Sequence, residues 1–275
     1  MKSDITFGQY VEGDSLIHRL DPRAKIIIAI LYIVTIFLAK SAAAFALLLV
    51  SSVVFIIMTG LPFKMVLRSM RPILFIVIFT AIINIFWMTG EKLLVHFWII
   101  NIYLEGVINA LLIVLRIVLL ITATSVFLTY TTTPLALTDA LESLLSPLKK
   151  LHVPVHEFAM IMTIALRFIP TLIDETEKII NAQTARGADF SSGNIIKRAK
   201  ALIPILIPLF VSAFRRADEL ATAMECRCYT GGEGRTRMNV LHSSAKDWVM
   251  VGIIILLGAA VVLLNKYFPI YLMTF

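Results

Sequence analysis

The chain has 275 residues, of which 59% are hydrophobic and only 16% are charged. Its mean hydropathy is +0.89, and soluble domains carry roughly 25% charged residues, so this composition excludes an ordinary soluble domain. The low counts of 12 glycines, 10 prolines and 2 cysteines exclude a collagen-like repeat, a disordered chain and a disulfide scaffold. The composition therefore predicts an integral membrane protein.

Five apolar segments approach the length of about 20 residues that a helix needs to cross a bilayer. They are residues 25–40, 42–59, 72–89, 106–129 and 248–265. We therefore predict an all-α integral membrane protein of about five transmembrane helices, with a helical cytoplasmic coupling domain inserted before the last one. The predicted domains are an N-terminal membrane domain of four helices at 1–129, a coupling domain with long helices at 130–246, and the last transmembrane helix with the C-terminus at 247–275.

The distribution of basic residues predicts the orientation of these spans. The net charge is +7, with four basic residues in segment 1–25 and three in loop 60–71, whereas the opposite loops contain only Lys40, Lys92 and Lys266. Cytoplasmic loops are enriched in Lys and Arg. The N-terminus and residues 130–246 are therefore expected in the cytoplasm, and the C-terminus outside.

Two shorter apolar runs lie inside the predicted coupling domain, at 158–166 and 201–214. Runs of this length suit buried or interfacial helices better than spanning ones. We therefore predict amphipathic helices at the inner membrane face. An arrangement in which both runs cross the bilayer stays open.

Two long helices are predicted, at about 155–186 and 197–228. The first ends in Ala185-Arg186-Gly187 and the second in Cys226-Arg227-Cys228, and the two arginines are 41 residues apart. A single arginine in a last helical turn can simply complement the helix dipole. Two arginines flanked by small residues indicate instead a pair of protruding docking contacts, because a guanidinium offers five fixed hydrogen-bond donors.

In these features the chain resembles the transmembrane (T) component of energy-coupling factor transporters, a family that includes the cobalt-transport Q-like proteins and is related to ATP-binding-cassette importers. The resemblance rests on Leu20-Asp21-Pro22-Arg23-Ala24-Lys25 before the first span, on the two arginine motifs and on the order of the elements. It covers nearly the whole chain. Cys226 and Cys228 replace the alanine and glycine often found in the second motif.

The resemblance implies that this chain links ATP hydrolysis to vitamin or other micronutrient uptake in a bacterial plasma membrane, and that it is not itself an enzyme. The six residues of the arginine motifs would dock two ATPase subunits, which bind ATP and Mg. Because the two motifs differ in sequence, they favour a heterodimer of ATPase subunits. The apolar faces of the long helices would hold one substrate-binding S component at a time, of several interchangeable ones. The candidate contact residues are Met160, Met162, Phe168, Leu206, Phe210 and Phe214.

Other chemistry finds little support in the sequence. Neither a GxxxxGK[ST] nor a GxGxxG motif is present, so we expect no cofactor on this chain. His152 and His156 are four residues apart, but Pro154 lies between them and the sequence HVPVHE lacks the His-Glu-x-x-His order of zinc proteases. No metal site and no nucleic-acid binding are expected. Arg116 lies inside the fourth span, where a charge is a functional candidate by default; asparagine partners or snorkelling are the structural alternatives. A stand-alone secondary transporter or channel with Arg116 on its substrate path is the second hypothesis.

Overall fold

A computed structural model of the chain describes residues 10–87, 93–97, 100–188, 190, 194–232 and 240–267. The end of the predicted third span, at 88–89, and the predicted outer C-terminus after residue 267 lie outside these ranges. The chain divides into two compact units, one formed by Met1–Ala140 with Val240–Phe275 and the other by Leu141–Asn239.

Helices account for most of the described residues. They are α1 (Pro22–Leu38), α2 (Ala42–Thr59), α3 (Phe63–Trp87), α4 (Leu104–Thr124), α5 (Pro134–Leu144), α6 (Val155–Ala185), α7 (Ile195–Cys226) and α8 (Ala245–Tyr267). A π-helical segment at Ser125–Thr129 continues α4, and a 3-10 segment at Ser146–Leu151 follows α5. The predicted all-α membrane fold is confirmed.

One short antiparallel hairpin was not predicted. Its strands are β1 (Leu93–Phe97) and β2 (Ile100–Tyr103), and they lie between α3 and α4. The hairpin escapes prediction because two strands of five and four residues leave only a weak signal between long apolar helices. It does not alter the fold class.

Among the residues that the structure describes, five helical segments are long and apolar enough to cross a membrane: Ala42–Thr59, Phe63–Phe86, Leu104–Thr129, Val155–Ala185 and Ala245–Tyr267. The predicted first span is not among them. Helix α1 has 17 residues, which at a rise of 1.5 Å each gives about 25 Å, less than the roughly 30 Å of a hydrocarbon core. Helix α6, by contrast, is long and apolar enough to cross a membrane. Its predicted position at the inner membrane face therefore stays a prediction.

The start of α1 is fixed by the motif that precedes it. Asp21 is the N-cap residue, and its Oδ1 accepts a hydrogen bond from the backbone N–H of Arg23 at 2.8 Å. Pro22 follows at the first helical position, which suits its fixed φ. The backbone N–H of Asp21 donates to Oδ1 of Asp247 at 2.9 Å. This bond joins the start of α1 to the first turn of α8.

Lys25 is buried in α1, with only 2% of its surface exposed. Its Nζ donates to the carbonyl oxygen of Thr131 at 2.6 Å and to that of His18 at 3.1 Å. A buried ammonium is tolerated only when such acceptors replace water. Lys25 therefore ties together the turn before α1 and the residues that follow the π-helical segment.

Three aromatic rings pack together in the core around α1. The rings of Tyr32, Phe55 and Phe127 meet edge-on, with centroids 5.2 to 6.0 Å apart. The Tyr32 hydroxyl donates to the carbonyl oxygen of Leu48 at 3.1 Å and lies 2.9 Å from Oγ of Ser51. A buried tyrosine needs such a partner for its hydroxyl. The triad joins α1, α2 and the π-helical segment.

The turn between α1 and α2 takes its hydrogen bonds from two distant helices. Nη2 of Arg116 donates to the carbonyl oxygen of Ala39 at 2.9 Å, and its guanidinium lies over the Phe45 ring, 5.5 Å from the centroid. Asn265 of α8 accepts from the backbone N–H groups of Lys40 and Ser41 and donates to Leu38 O at 2.7 Å. Arg116 thus has a structural role at this turn, where one of its partners is a backbone carbonyl.

Candidate functional site

Helices α6 and α7 form the candidate site, and both lie in the unit Leu141–Asn239. They have 31 and 32 residues, or about 46 to 48 Å each at 1.5 Å per residue. Their bounds agree closely with the predicted 155–186 and 197–228. The prolines at 170, 204 and 208 lie inside the helices and do not end either of them.

The two helices end in the same hydrogen-bonding pattern. After α6, the N–H of Ala188 donates to Gln183 O at 3.0 Å and the N–H of Gly187 donates to Thr184 O at 2.9 Å. After α7, the corresponding bonds run from Tyr229 to Met224 O at 3.0 Å and from Cys228 to Glu225 O at 2.8 Å. Both ends are therefore Schellman motifs, in which paired bonds satisfy the last helical carbonyls.

Each arginine of the predicted docking motifs occupies the C-cap of its helix. Arg186 and Arg227 are both exposed, as are their neighbours Ala185, Gly187, Cys226 and Cys228. Within the described residues, neither guanidinium has an ion pair. The structure therefore presents two outward cations on matching rigid ends, free to bind acceptors on another molecule.

The residue that ends α7 is not a glycine. The left-handed residue after α7 is Cys228, with φ 54°, whereas Gly187 has φ 88° after α6. Glycine adopts this conformation without steric cost, and a residue with a Cβ does not. Cys228 therefore occupies a place where glycine would be less strained.

An ion pair joins α6 to α7 within the site. Nη2 of Arg216 donates to Oε2 of Glu175 at 2.7 Å. The two charged side chains are only 32% and 24% exposed. Charge-assisted bonds of this length are among the stronger side-chain contacts in proteins. No periodicity or motif had indicated this pair.

The six candidate S-component contacts are unequally accessible. Phe210 and Phe214 on α7 are 61% and 68% exposed, and Met162 and Leu206 are also exposed, whereas Met160 and Phe168 are half-buried. Sequence analysis missed further exposed apolar side chains in the same helices, among them Phe158, Ile161, Ile207 and Val211. Helical spacing could have found Ile207, because it precedes Phe210 by three positions and Phe214 by seven.

The exposed apolar side chains of α6 and α7 are called here the apolar face. Part of this face forms a shallow groove on α7. Its volume is about 580 Å³, and it is lined by Ile207, Phe210, Val211, Phe214, Arg215 and Asp218. The apolar floor comes from residues three or four positions apart, and the two charged residues close the end nearer to Arg227. An exposed apolar face of this kind requires either lipid or a protein partner to cover it.

His156 has a partner other than a metal ion. Its Nδ1 lies 3.0 Å from Oε1 of Glu142, and the imidazole packs against Gly232, where an added Cβ would collide with the ring. Among the residues described by the structure, no three His, Cys, Asp or Glu side chains are grouped as metal ligands would be. His156 instead contacts Gly232, in the described part of the segment after α7.

Comparison with known proteins gives this architecture a family. Residues 13–238 match the family CbiQ, described as cobalt transport protein. An energy-coupling factor transporter transmembrane protein, EcfT, of Ruminiclostridium cellulolyticum is 54% identical over 269 residues, covering 98% of this chain and 100% of that protein. Proteins of the same name from Clostridium kluyveri and Bacillus subtilis are 52% and 46% identical and cover 90% and 94% of this chain and 92% and 97% of their own lengths.

These matches span both arginine motifs and the segment before α1. Together with the apolar helices, they identify the chain as a multi-pass membrane protein of a transport complex. The chain belongs to the CbiQ family and, within it, to the transmembrane EcfT proteins of energy-coupling factor transporters.

Proposed function

We propose that this chain is the non-catalytic coupling subunit of its transporter, and that Arg186 and Arg227 each dock one cytoplasmic ATPase subunit. The observation that carries the proposal is the matched geometry of the two helix ends, where both arginines are exposed C-cap residues in Schellman motifs. Two equivalent cationic ends suit two similar receiving surfaces. ATP and Mg would be bound by those partners and not by this chain.

Each docking end is rigid for a physical reason. A Schellman motif satisfies the last helical carbonyls within the helix, so the chain near Arg186 and Arg227 is held without outside help. The guanidinium can then form paired hydrogen bonds to carboxylates or carbonyls of a partner. Small neighbours such as Ala185 and Cys226 leave the guanidinium accessible.

The apolar face of α6 and α7 is proposed to bind the S component. Phe210, Phe214 and their exposed neighbours supply an extended surface, and methionines such as Met162 adapt to different partners. This adaptability suits a subunit that serves several S components in turn. The transported vitamin or other micronutrient would then be selected by the S component.

The two ATPase subunits are proposed to differ from each other. The backbone of the two docking ends is alike, but the side chains beside the arginines are Ala185 and Gly187 at one end and Cys226 and Cys228 at the other. Different neighbours imply different receiving surfaces. A purified complex with a single ATPase species would contradict this part of the proposal.

We propose that the N-terminus and residues 130–246 face the cytoplasm of a bacterial cell and that the C-terminus lies outside. Lys64, Arg68 and Arg71, at the start of α3, are all exposed, as the positive-inside rule expects of the cytoplasmic side. The candidate docking ends would then face the compartment that contains ATP.

The test is co-purification from the native membrane in mild detergent. The unaltered chain should bring two ATPase subunits and one or more small membrane proteins, whose identity names the substrate. Reversing both charges, Arg186→Glu with Arg227→Glu, should abolish recovery of the ATPases. Arg167→Glu, at an exposed position within α6, is the matched control and should leave recovery unchanged. Intact complexes after the double reversal would refute the docking role.

A stand-alone secondary transporter was the competing hypothesis, and it relied on Arg116. The bond from Arg116 to Ala39 O and its contact with the Phe45 ring occupy this side chain in structure. This observation favours the coupling subunit. Uptake by the purified chain without any ATPase would reverse that preference.

A further inference from the structure

The ion pair between α6 and α7 joins two corresponding positions. Glu175 and Arg216 are 41 residues apart, the same interval that separates Arg186 from Arg227 and Gly187 from Cys228. When two similar helices cross, equivalent residues meet only near the crossing point. Glu175 and Arg216 meet in this way, and we take their contact as the crossing point of α6 and α7.

The crossing divides α7 into two functional stretches. Arg227 follows Arg216 by eleven positions, and Arg186 follows Glu175 by the same number, so both docking arginines lie about 16 Å beyond the crossing along their helices. The exposed residues Phe210 and Phe214 lie on the other side of Arg216. The ion pair thus separates the docking ends from the apolar face of α7.

The chemistry of the pair suits a fixed contact. The side chains are 32% and 24% exposed, so water screens their attraction less than at a free surface. The carboxylate of Glu175 accepts from the Arg216 guanidinium at 2.7 Å. A single charged contact of this kind restricts sliding of α7 along α6.

We infer that the Glu175–Arg216 pair is the pivot of the coupling helices, where movement imposed at the docking ends is converted into movement of the apolar face. The inference rests on the proposed function. In this role Glu175 and Arg216 are positioning residues: they contact neither ATP nor substrate. Without the ion pair, the ATPase subunits would still dock at Arg186 and Arg227. However, α6 and α7 would slide against each other at the crossing, and less of the movement would reach the apolar face.

The test separates docking from transmission. The complete complex is reconstituted in proteoliposomes with Glu175→Gln, Arg216→Gln, or the charge exchange Glu175→Arg with Arg216→Glu. ATPase subunits should co-purify with every variant. The amount of substrate transported per ATP hydrolysed should fall about tenfold in each single variant, the change that corresponds to loss of one charged hydrogen bond. The charge exchange should restore at least part of the ratio.

Glu219→Gln is the matched control, because Glu219 is an exposed carboxylate on α7 three residues beyond Arg216; its ratio should stay at the unaltered value. An unchanged ratio in both single variants would overturn the inference, and so would loss of the ATPases from them. If the single variants do not fold, the charge exchange decides: a folded complex with restored coupling supports the pivot, and a folded complex with low coupling refutes it. Absence of ATPases from the unaltered complex would refute the proposed function instead.

Electron-spin distance measurements give a second readout. Spin labels at Ala182 and Ala223, two exposed positions also 41 residues apart, report the relation between the two docking arms in a background with Cys226 and Cys228 replaced by serine. The unaltered pair should give a narrow distance distribution, and Arg216→Gln should broaden it. Equal widths would contradict a pivot.

Discussion

Gly187 and Cys228 occupy the same place in two helix ends 41 residues apart. Both have a left-handed backbone, with φ values of 88° and 54°, and both donate to the carbonyl three residues earlier, at 2.9 and 2.8 Å. Each follows directly on an exposed arginine. The left-handed residue is thus the element that ends each helix and leaves the arginine at its C-cap.

Replacing Cys228 with glycine should stabilise the end of α7. A residue with a Cβ in the left-handed region costs about 1–2 kcal/mol relative to glycine, and the substitution removes this cost, offset in part by the greater entropy of an unfolded glycine. We expect a gain of about 1 kcal/mol or less. The midpoint of thermal unfolding, followed by circular dichroism on the purified chain, measures it.

Cys226→Gly is the control with the opposite sign. Cys226 is the last residue of α7, where helical φ is retained and glycine is unfavourable. This variant should lower the midpoint while Cys228→Gly raises it. Equal shifts in both variants would show that the thiols, and not the backbone conformation, determine stability here.

Lys25→Met should strongly destabilise the unit that contains α1. The substitution removes the donor to Thr131 O at 2.6 Å and to His18 O at 3.1 Å, and it withdraws a cation that interacts with the buried carboxylates of Asp21 and Asp247. Hydrogen bonds to charged groups are worth about 1.5–3 kcal/mol. Thermal unfolding should show a clear drop, whereas Lys64→Met, at an exposed lysine, should show almost none.

Asn265→Ala should destabilise the turn between α1 and α2. Its side chain alone bonds Leu38 O, Lys40 N and Ser41 N, and loss of partners for backbone groups near a bilayer costs about 1–3 kcal/mol. Arg116→Met should have a similar effect through Ala39 O. Both variants should reduce transport only in proportion to the amount of folded complex. A selective loss of transport with full stability would return Arg116 to the substrate path.

Thiol labelling tests the orientation. The chain has 2 cysteines, Cys226 and Cys228, and both are free and exposed. A membrane-impermeant maleimide should label the chain in inside-out vesicles and not in intact cells. Dissociating the ATPases should increase the labelling rate, because these cysteines flank Arg227. Labelling in intact cells would place the docking ends outside and overturn the proposed topology.

Acidification should weaken the segment before α1. Burial lowers the pKa of His18 below its ordinary value of 6.5, and its Nε2 lies 3.0 Å from Val11 O while Nδ1 lies 2.6 Å from Oγ of Ser15. The unfolded state therefore binds a proton more readily, so stability is full above pH 6.5 and falls as the pH drops towards the folded-state pKa. His18→Gln should flatten this slope in unfolding measurements made between pH 7.5 and pH 5, a range of about one to two units around the ordinary pKa.

The fold class, the long helices and the arginine motifs could be predicted from the amino-acid sequence alone. Apolar runs gave the class, and the long helices were predicted at 155–186 and 197–228 against 155–185 and 195–226 in the structure. Helix bounds of this kind depend on residues within one or two turns, such as Pro154 before α6 and Gly187 after it. The arginine motifs were likewise visible, because each occupies consecutive positions.

Contacts between residues far apart in the chain were determined only by the tertiary structure. Glu175 meets Arg216 across 41 positions, Lys25 meets Thr131 across 106, and Asp21 meets Asp247 across 226. The charge of such a residue predicts that it needs a partner, but many partners of suitable charge or polarity exist in the chain. Which one is reached depends on how the helices pack, and packing sums many weak apolar contacts that no single stretch of sequence contains.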